Sequence, residues 1–236
     1  MESTEQFSVV EVLKGSFYLI RDKPIILLPQ LIVVILFYLP DVISDYIEIN
    51  KIIPDPMSSL YVLVPLILFA VVYALLLLII PPIVEAMYPL LIKNIIDGKE
   101  VDLKSTFSAA KKKVWSVLGA VFLMSLIVVI GLILFVIPGL IFLAWYYYTI
   151  PAIMLKDLGA TEGMSASKDF AKDKKFKTFL LYSTPFFLIF LVAIIFQDVY
   201  MMPAVGWVVD FGIELFIAIW IAVTPAYAYI KYAREE

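Results

Sequence analysis

Cysteine and histidine are absent from this sequence of 236 residues. Without them the chain has no disulfides, no thiolate or imidazole metal ligands, no cysteine nucleophile and no histidine base for a catalytic triad. Charged residues are scarce too, at 17% against about 25% in soluble domains. The net charge of −3 gives no sign of the basic surface that binds nucleic acids. We therefore expect no enzyme of these classes, no metal site, no cofactor and no nucleic-acid partner.

Apolar residues dominate the composition instead. They make up 63% of the chain, well above the about 45–50% of soluble domains. Apolar runs alternate with short charged stretches, and a helix of about 20 residues crosses a bilayer. We predict an all-α integral membrane protein, a single polytopic domain over residues 1–236 with six transmembrane helices. The predicted spans are 24–43, 59–80, 114–137, 139–155, 175–198 and 205–229.

The basic residues are distributed unevenly between the two predicted sides of the membrane. Seventeen of the eighteen Lys and Arg residues fall in the N-terminal segment, the second and fourth connections and the tail. The other three connections hold only Lys51. Because positive charge is retained on the cytoplasmic side, we place both termini in the cytoplasm and the protein in the cell (cytoplasmic) membrane.

Three segments are amphipathic and too polar to span a bilayer: 5–22, 102–113 and 160–174. We predict that they form helices in the membrane interface. In the first segment an apolar residue recurs every three or four positions: Phe7, Val10, Leu13, Phe17 and Ile20. This stripe either packs against the protein's own helices or rests on lipid, and the sequence leaves both interpretations open.

The same segments suggest a three-unit repeat, in which each unit is one surface helix followed by a hairpin of two spans. The shared motifs are Phe7-Ser8-Val9-Val10, Phe107-Ser108-Ala109-Ala110 and Met164-Ser165-Ala166-Ser167. Proline also recurs near the cytoplasmic end of each unit's second span, at Pro81-Pro82, Pro151 and Pro225. Alternatively, these similarities arise because Ser is a common helix N-cap and proline is tolerated in transmembrane helices generally.

The stretch from Phe107 to Lys175 carries a family resemblance. It has a Lys-rich amphipathic start, a long apolar helix, an expected tight turn at Ile137-Pro138-Gly139 and an aromatic run, Trp145-Tyr146-Tyr147-Tyr148, before Pro151. This pattern resembles a broad set of uncharacterised bacterial and archaeal multi-pass membrane proteins, which are similar to the membrane domain fused to some glycerophosphoryl diester phosphodiesterases. The resemblance implies a fold and not that activity, because the sequence contains no phosphodiesterase portion.

Two acidic residues near the start of the last predicted span are candidate functional residues. Asp210 and Glu214 are four residues apart, so a helix places both carboxylates on one face, about 6 Å apart along its axis. Charges within a bilayer are costly and often functional, and this pair can share a proton or bind a cation. Alternatively, Asp210 is the N-cap of a helix that begins at Phe211, or the acids only hold the bundle together. A third acid, Glu85, follows Pro81-Pro82 and is expected at the inner surface.

Three tyrosines are further candidates. Tyr146, Tyr147 and Tyr148 lie about 9–14 Å from the turn at Gly139 if the segment is helical, which is about the depth expected of Glu214. Buried phenol hydroxyls need hydrogen-bond partners, and a carboxyl group is a good one. We therefore predict a polar pocket between the fourth and sixth spans. The alternative is an aromatic belt at the membrane surface.

These features favour a non-enzymatic, oligomeric membrane protein that acts as a pore, a transporter or a binding protein for a small molecule or lipid. The alternative is a membrane-organising or partner-binding scaffold, whose interfacial helices and Lys-rich cytoplasmic face engage anionic lipid heads or another protein. An intramembrane enzyme that acts on lipid through the two carboxylates is the least favoured interpretation. The expected partners are the lipid bilayer, anionic lipid heads and further copies of the same chain.

Overall fold

The structure is a computed structural model that describes residues 6–47, 60–195 and 203–233. Every regular element in these ranges is helical, which confirms the all-α prediction. The α-helices are α1 (Val9–Asp22), α2 (Leu27–Ile47), α3 (Leu60–Ile96), α4 (Leu103–Lys112), α5 (Val114–Leu134), α6 (Val136–Tyr146), α7 (Thr149–Lys156), α8 (Ala160–Ala171), α9 (Lys175–Ile195) and α10 (Pro203–Tyr232). A 3-10 turn, Pro24–Ile26, joins α1 to α2. Lys51, the one basic residue predicted to lie outside the cell, is not among the described residues.

Five helical segments are long and apolar enough to cross a membrane: Val64–Ile96, Val114–Leu134, Val136–Lys156, Lys175–Ile195 and Val205–Tyr232. A sixth is counted if Val9–Asp22 and Pro24–Pro40, which are bent by 96° relative to each other, form one span. The described residues therefore fit a multi-pass membrane protein with five or six spans. The segment Val136–Lys156 comprises α6 and α7, which are separated by a short break at Tyr147 and Tyr148.

Helix α3 is much longer than the sequence predicted. We expected it to end near residue 80, but it continues through Pro81, Pro82 and Pro89 to Ile96. A proline removes one N–H donor from a helix, but neighbouring helices can compensate for the loss in an apolar bundle. Glu85 therefore lies within the helix, five residues beyond the predicted end of the span.

The hairpin between α5 and α6 is tighter than expected. Its turn is a single residue in extended conformation, Phe135, and not the predicted Ile137-Pro138-Gly139. Pro138 instead lies in the first turn of α6, where its missing N–H has no helical acceptor to lose. The two helices approach so closely that a Cβ atom added to Gly131 would lie 3.0 Å from the Cα of Gly139.

Three inner helices, α3, α7 and α10, contact one another at the centre of the bundle. A cluster of buried apolar residues fills each of the three inner contacts. Each cluster also takes a buried residue from one outer helix: Val33 of α2, Val117 of α5 and Leu181 of α9. The outer helices therefore cover the three grooves between the inner ones.

The short amphipathic helices α1, α4 and α8 pack against the long helices. Helix α1 contacts α9 and α10, α4 contacts α3, and α8 contacts α5, α6 and α7. In α1 the buried residues are Val12 and Ser16, whereas Val10 and Phe17 are 60% and 48% exposed. The predicted stripe is therefore only partly the contact face: Phe7 is buried and Leu13 and Ile20 pack against buried clusters, but the contact is centred on Val12 and Ser16.

Polar contacts also hold α1 to the end of α10. Lys231 donates a hydrogen bond to the Glu11 carboxylate, and the Tyr232 hydroxyl donates another to it at 2.9 Å. These hydrogen bonds, from Lys231 foremost, hold the pKa of Glu11 below its ordinary value. The Ser8 N–H in turn donates to the Tyr232 hydroxyl at 3.2 Å. The carboxylate acceptor of Glu11 and the N–H donor of the N-cap Ser8 thus meet two side chains of α10.

Candidate functional site

A cavity of about 340 Å³ lies where α3, α5, α6, α9 and α10 converge. Most of its wall is aliphatic, and its polar side chains come from five residues: Glu85, Ser125, Tyr146, Tyr147 and Tyr182. Ser125 and its neighbour on the next turn, Val129, are exposed on α5, so the cavity is open along this side. Its volume falls within the about 300–1,000 Å³ that is usual for ligand pockets.

Glu85 is the one charged residue among the described residues that line the cavity. It lies eleven residues before Ile96, the last residue of α3, which is about 16 Å along the helix axis. Its neighbours Val84 and Ala86 are buried, and Glu85 itself is half-buried. In the described part of the chain its carboxylate takes part in no hydrogen bond or ion pair of standard geometry. A carboxylate in such a position faces a large desolvation cost unless a partner arrives.

Three tyrosine rings surround the same space. Tyr146 ends α6, Tyr147 lies in the break before α7, and Tyr182 comes from α9. The rings of Tyr147 and Tyr182 meet edge to face, with centroids 5.8 Å apart and planes at 89°. The break between α6 and α7 changes the chain direction at this point, and it allows consecutive tyrosines to line one cavity. An aromatic face attracts a cation within about 6 Å of the ring centroid.

Tyr148 has a different environment from the other two predicted tyrosines. Its side chain is fully buried and does not line the cavity. Its hydroxyl is 3.1 Å from the Thr178 hydroxyl, and its backbone N–H donates to the Ser167 hydroxyl at 3.0 Å. These contacts join the break between α6 and α7 to α8 and α9. Tyr148 thus helps to hold the neighbouring residue Tyr147 in the cavity wall but does not itself face the cavity.

Asp210 and Glu214 lie on α10, as predicted, but both are exposed and neither lines the cavity. Glu214 precedes the cavity residue Ile221 by seven positions, about 10 Å along the axis. The structure thus brings two of the predicted tyrosines together with a carboxylate, but that carboxylate belongs to Glu85. Sequence reasoning also missed Tyr182.

A signal for Glu85 was present in the sequence. Residues 60–92 form a continuous apolar run in which Glu85 is the one charged residue. Such a charge within a long apolar helix is a functional-site hypothesis by default. The two preceding prolines led us to end the helix before it.

No three residues of the His, Cys, Asp and Glu types come together to hold a metal ion in the part of the chain that the structure describes. Comparison of the chain with protein-family models, curated proteins and solved structures found no match. The family resemblance stays a prediction. The cavity beside Glu85 is the feature of the described residues that points to a function.

Proposed function

We propose that the chain is a multi-pass protein of the cytoplasmic membrane that binds a small molecule in the cavity beside Glu85. The observation that carries this proposal is a carboxylate in an open cavity that has no hydrogen-bond or ion-pair partner in the described part of the chain, about 16 Å from the end of its helix. A charged side chain at the centre of a bilayer costs at least about 2.5–3.5 kcal/mol. Charged residues inside a membrane are therefore rare, and those that occur often bind a ligand or an ion.

The basic residues support an orientation with this end of the bundle in the cytoplasm. The last turns of the three inner helices carry Lys93, Lys156 and Lys231. Under the rule that cytoplasmic segments retain Lys and Arg, single cysteines at residues 104, 172 and 231 should be protected from an impermeant thiol reagent in intact cells. A cysteine at Lys51 should react. External labelling at 104 or 172 would contradict the orientation.

A three-unit construction of the chain is consistent with this placement. The N-caps of α1, α4 and α8 are Ser8, Asp102 and Gly159. The residue eight positions after each N-cap is small and buried: Ser16, Ala110 and Ser167. Two long helical segments follow each of these short helices. In this arrangement residues of all three units line the cavity, among them Glu85, Tyr146 and Tyr182.

The N-caps favour a revised alignment of the first unit. Phe107 and Met164 each lie five residues after their N-cap. The same position in α1 is Leu13, whereas the motif alignment had used Phe7, which precedes the cap. In the unit that we propose, Leu13 and not Phe7 therefore corresponds to Phe107 and Met164, which shifts the alignment of the first unit by six residues.

Thiol accessibility tests whether the cavity is open to small molecules. Because the chain has no cysteine, the variant Ser125→Cys carries a single thiol on the cavity wall. The control Phe122→Cys lies one turn away on α5 and is 63% exposed without lining the cavity. Reaction with methanethiosulfonate needs a thiolate and hence water.

We expect methyl methanethiosulfonate to modify Ser125→Cys rapidly in lipid nanodiscs and Phe122→Cys slowly, because the control thiol faces hydrocarbon. Equal, slow modification of both variants would show that the cavity is closed or filled by lipid, and the proposed function would then be abandoned. The reagent is neutral, so the result does not depend on the charge of any ligand.

A further inference from the structure

Each of the inner helices carries a buried proline: Pro89 in α3, Pro151 in α7 and Pro225 in α10. A proline has no N–H, so the carbonyl four residues before it cannot accept the usual helical hydrogen bond. Two of the residues that carry these carbonyls, Glu85 and Ile221, lie within helices and line the cavity. Pro151 differs, because it lies in the first turn of α7, where its N–H would have no helical acceptor. The cavity is thus bordered by two residues whose backbone carbonyls lack the usual helical donor.

The side chains of the cavity also provide hydrogen-bond acceptors and negative potential. The Glu85 carboxylate is an acceptor of charge-assisted hydrogen bonds, and the tyrosine rings present faces of negative potential. No Lys or Arg is among the cavity residues in the described ranges. The rest of the wall, including Val121, Val128 and Leu143, is aliphatic. The cavity therefore combines hydrogen-bond acceptors and negative potential with apolar surface.

We infer that the cavity binds an organic ammonium ion. Its N–H groups bond to the Glu85 carboxylate and to the carbonyls freed by the prolines, and its apolar part lies against the tyrosine rings and the aliphatic wall. This inference rests on the proposed function, since it names the ligand class of the same cavity. A cation offsets the cost of desolvating Glu85, whereas an anion is repelled and a neutral ligand leaves the charge of the carboxylate uncompensated.

A set of matched ligands tests the inference. The probes are 2-phenylethylamine, which is a cation at neutral pH, the neutral 2-phenylethanol, the anion phenylacetate, and the N,N,N-trimethyl derivative of the amine. Binding of each probe to the full chain in nanodiscs is measured by equilibrium dialysis, with empty nanodiscs as the blank. Two variants are compared with the parent: Glu85→Gln, and the control Glu214→Gln, which removes an exposed carboxylate outside the cavity.

We expect the parent to bind the amine about tenfold or more tightly than the alcohol, because the ion pair adds a charge-assisted hydrogen bond. Glu85→Gln should lose this preference, while Glu214→Gln should keep it. The trimethyl derivative should bind more weakly than the amine, because it has no N–H for the carbonyls. Phenylacetate should bind most weakly.

Two results would overturn the inference. One is equal binding of amine and alcohol to the parent, which needs no variant and so does not depend on the folding of Glu85→Gln. The other is tight amine binding that Glu85→Gln leaves unchanged. If Ser125→Cys is nevertheless readily modified, the ligand class is wrong and the small-molecule site stands. If that thiol is also inert, the proposed function fails with it.

Discussion

Gly163 in α8 gives a sharp test of how closely the short helices pack. Alanine is favoured over glycine in a helix by about 0.8–1.0 kcal/mol, so Gly163→Ala would normally stabilise the protein. Here the new Cβ would overlap the Cγ1 atom of Ile153 and lie 3.1 Å from its Cδ1. Ile153 is fully buried on α7, so its side chain has little room to move. Overpacking of this kind costs about 1–3 kcal/mol.

Because the overlap with the Ile153 Cγ1 atom is deep, the packing cost should lie in the upper part of its range, about 2–3 kcal/mol. Less the helix preference, we expect a net loss of about 1–2 kcal/mol for Gly163→Ala. The measurement is the free energy of unfolding in SDS titrations, followed by circular dichroism. Gly119→Ala is the control, because its Cβ would meet the Ala160 Cβ at an ordinary 3.5 Å. This control should be neutral or stabilising by up to about 1 kcal/mol.

A double-mutant cycle separates the clash from other effects. Ile153→Ala removes both overlapping atoms at a cost of about 2–5 kcal/mol. In that background Gly163→Ala should cost nothing further. The reasoning is refuted if Gly163→Ala is as stable as the parent, or if its cost is the same with and without the Ile153 side chain.

Three further predictions concern single contacts. Tyr148→Phe should cost about 1–3 kcal/mol because it leaves the buried Thr178 hydroxyl unpaired, and adding Thr178→Val should recover most of that loss in the same SDS titration. The lowered pKa of Glu11 stabilises the docking of α1 at neutral pH, and this contribution is lost as the pH falls through the lowered value. The difference in melting temperature between parent and Glu11→Gln should therefore shrink as the pH falls below the ordinary glutamate pKa of about 4.3, and a constant difference would contradict the role of Lys231. Gly98 follows the end of α3 at φ 67°. Gly98→Ala should therefore lower the free energy of unfolding by about 1 kcal/mol, and Gly98→Asn by less, as measured from the melting temperature.

Much of the fold was predictable because apolar runs of about 20 residues in a row leave few choices. The amphipathic spacing of apolar residues predicted the short helices α1, α4 and α8, because that spacing follows the helical period. Proline misled the prediction for α3, where Pro81 and Pro82 follow an apolar run already long enough to span a bilayer. Whether a helix survives a proline depends on the neighbours that pack around it, and the local sequence does not contain them.

The candidate site was only partly predictable. The run of tyrosines showed that polar groups enter an apolar segment, and Tyr146 and Tyr147 do line a cavity. The partner acid was misassigned because the depth assumed for Glu214 was wrong. Glu214 and Asp210 lie seven and eleven residues before the cavity residue Ile221, which puts them on nearly the same face of α10 but about 10 and 16 Å further along the axis. Tyr182 came from a helix that carried no distinguishing signal.

The docking of α1 on α10 sets an order of events during synthesis. Ser8 and Glu11 bond to side chains that lie 220 to 224 positions later in the chain. At about 5–20 residues per second, the ribosome adds the partner residues about 11–45 s after it has made α1. For that time the face around Val12 is without its native cover. Helix α1 is thus made before the other described helices but is among the last of them to reach its final place.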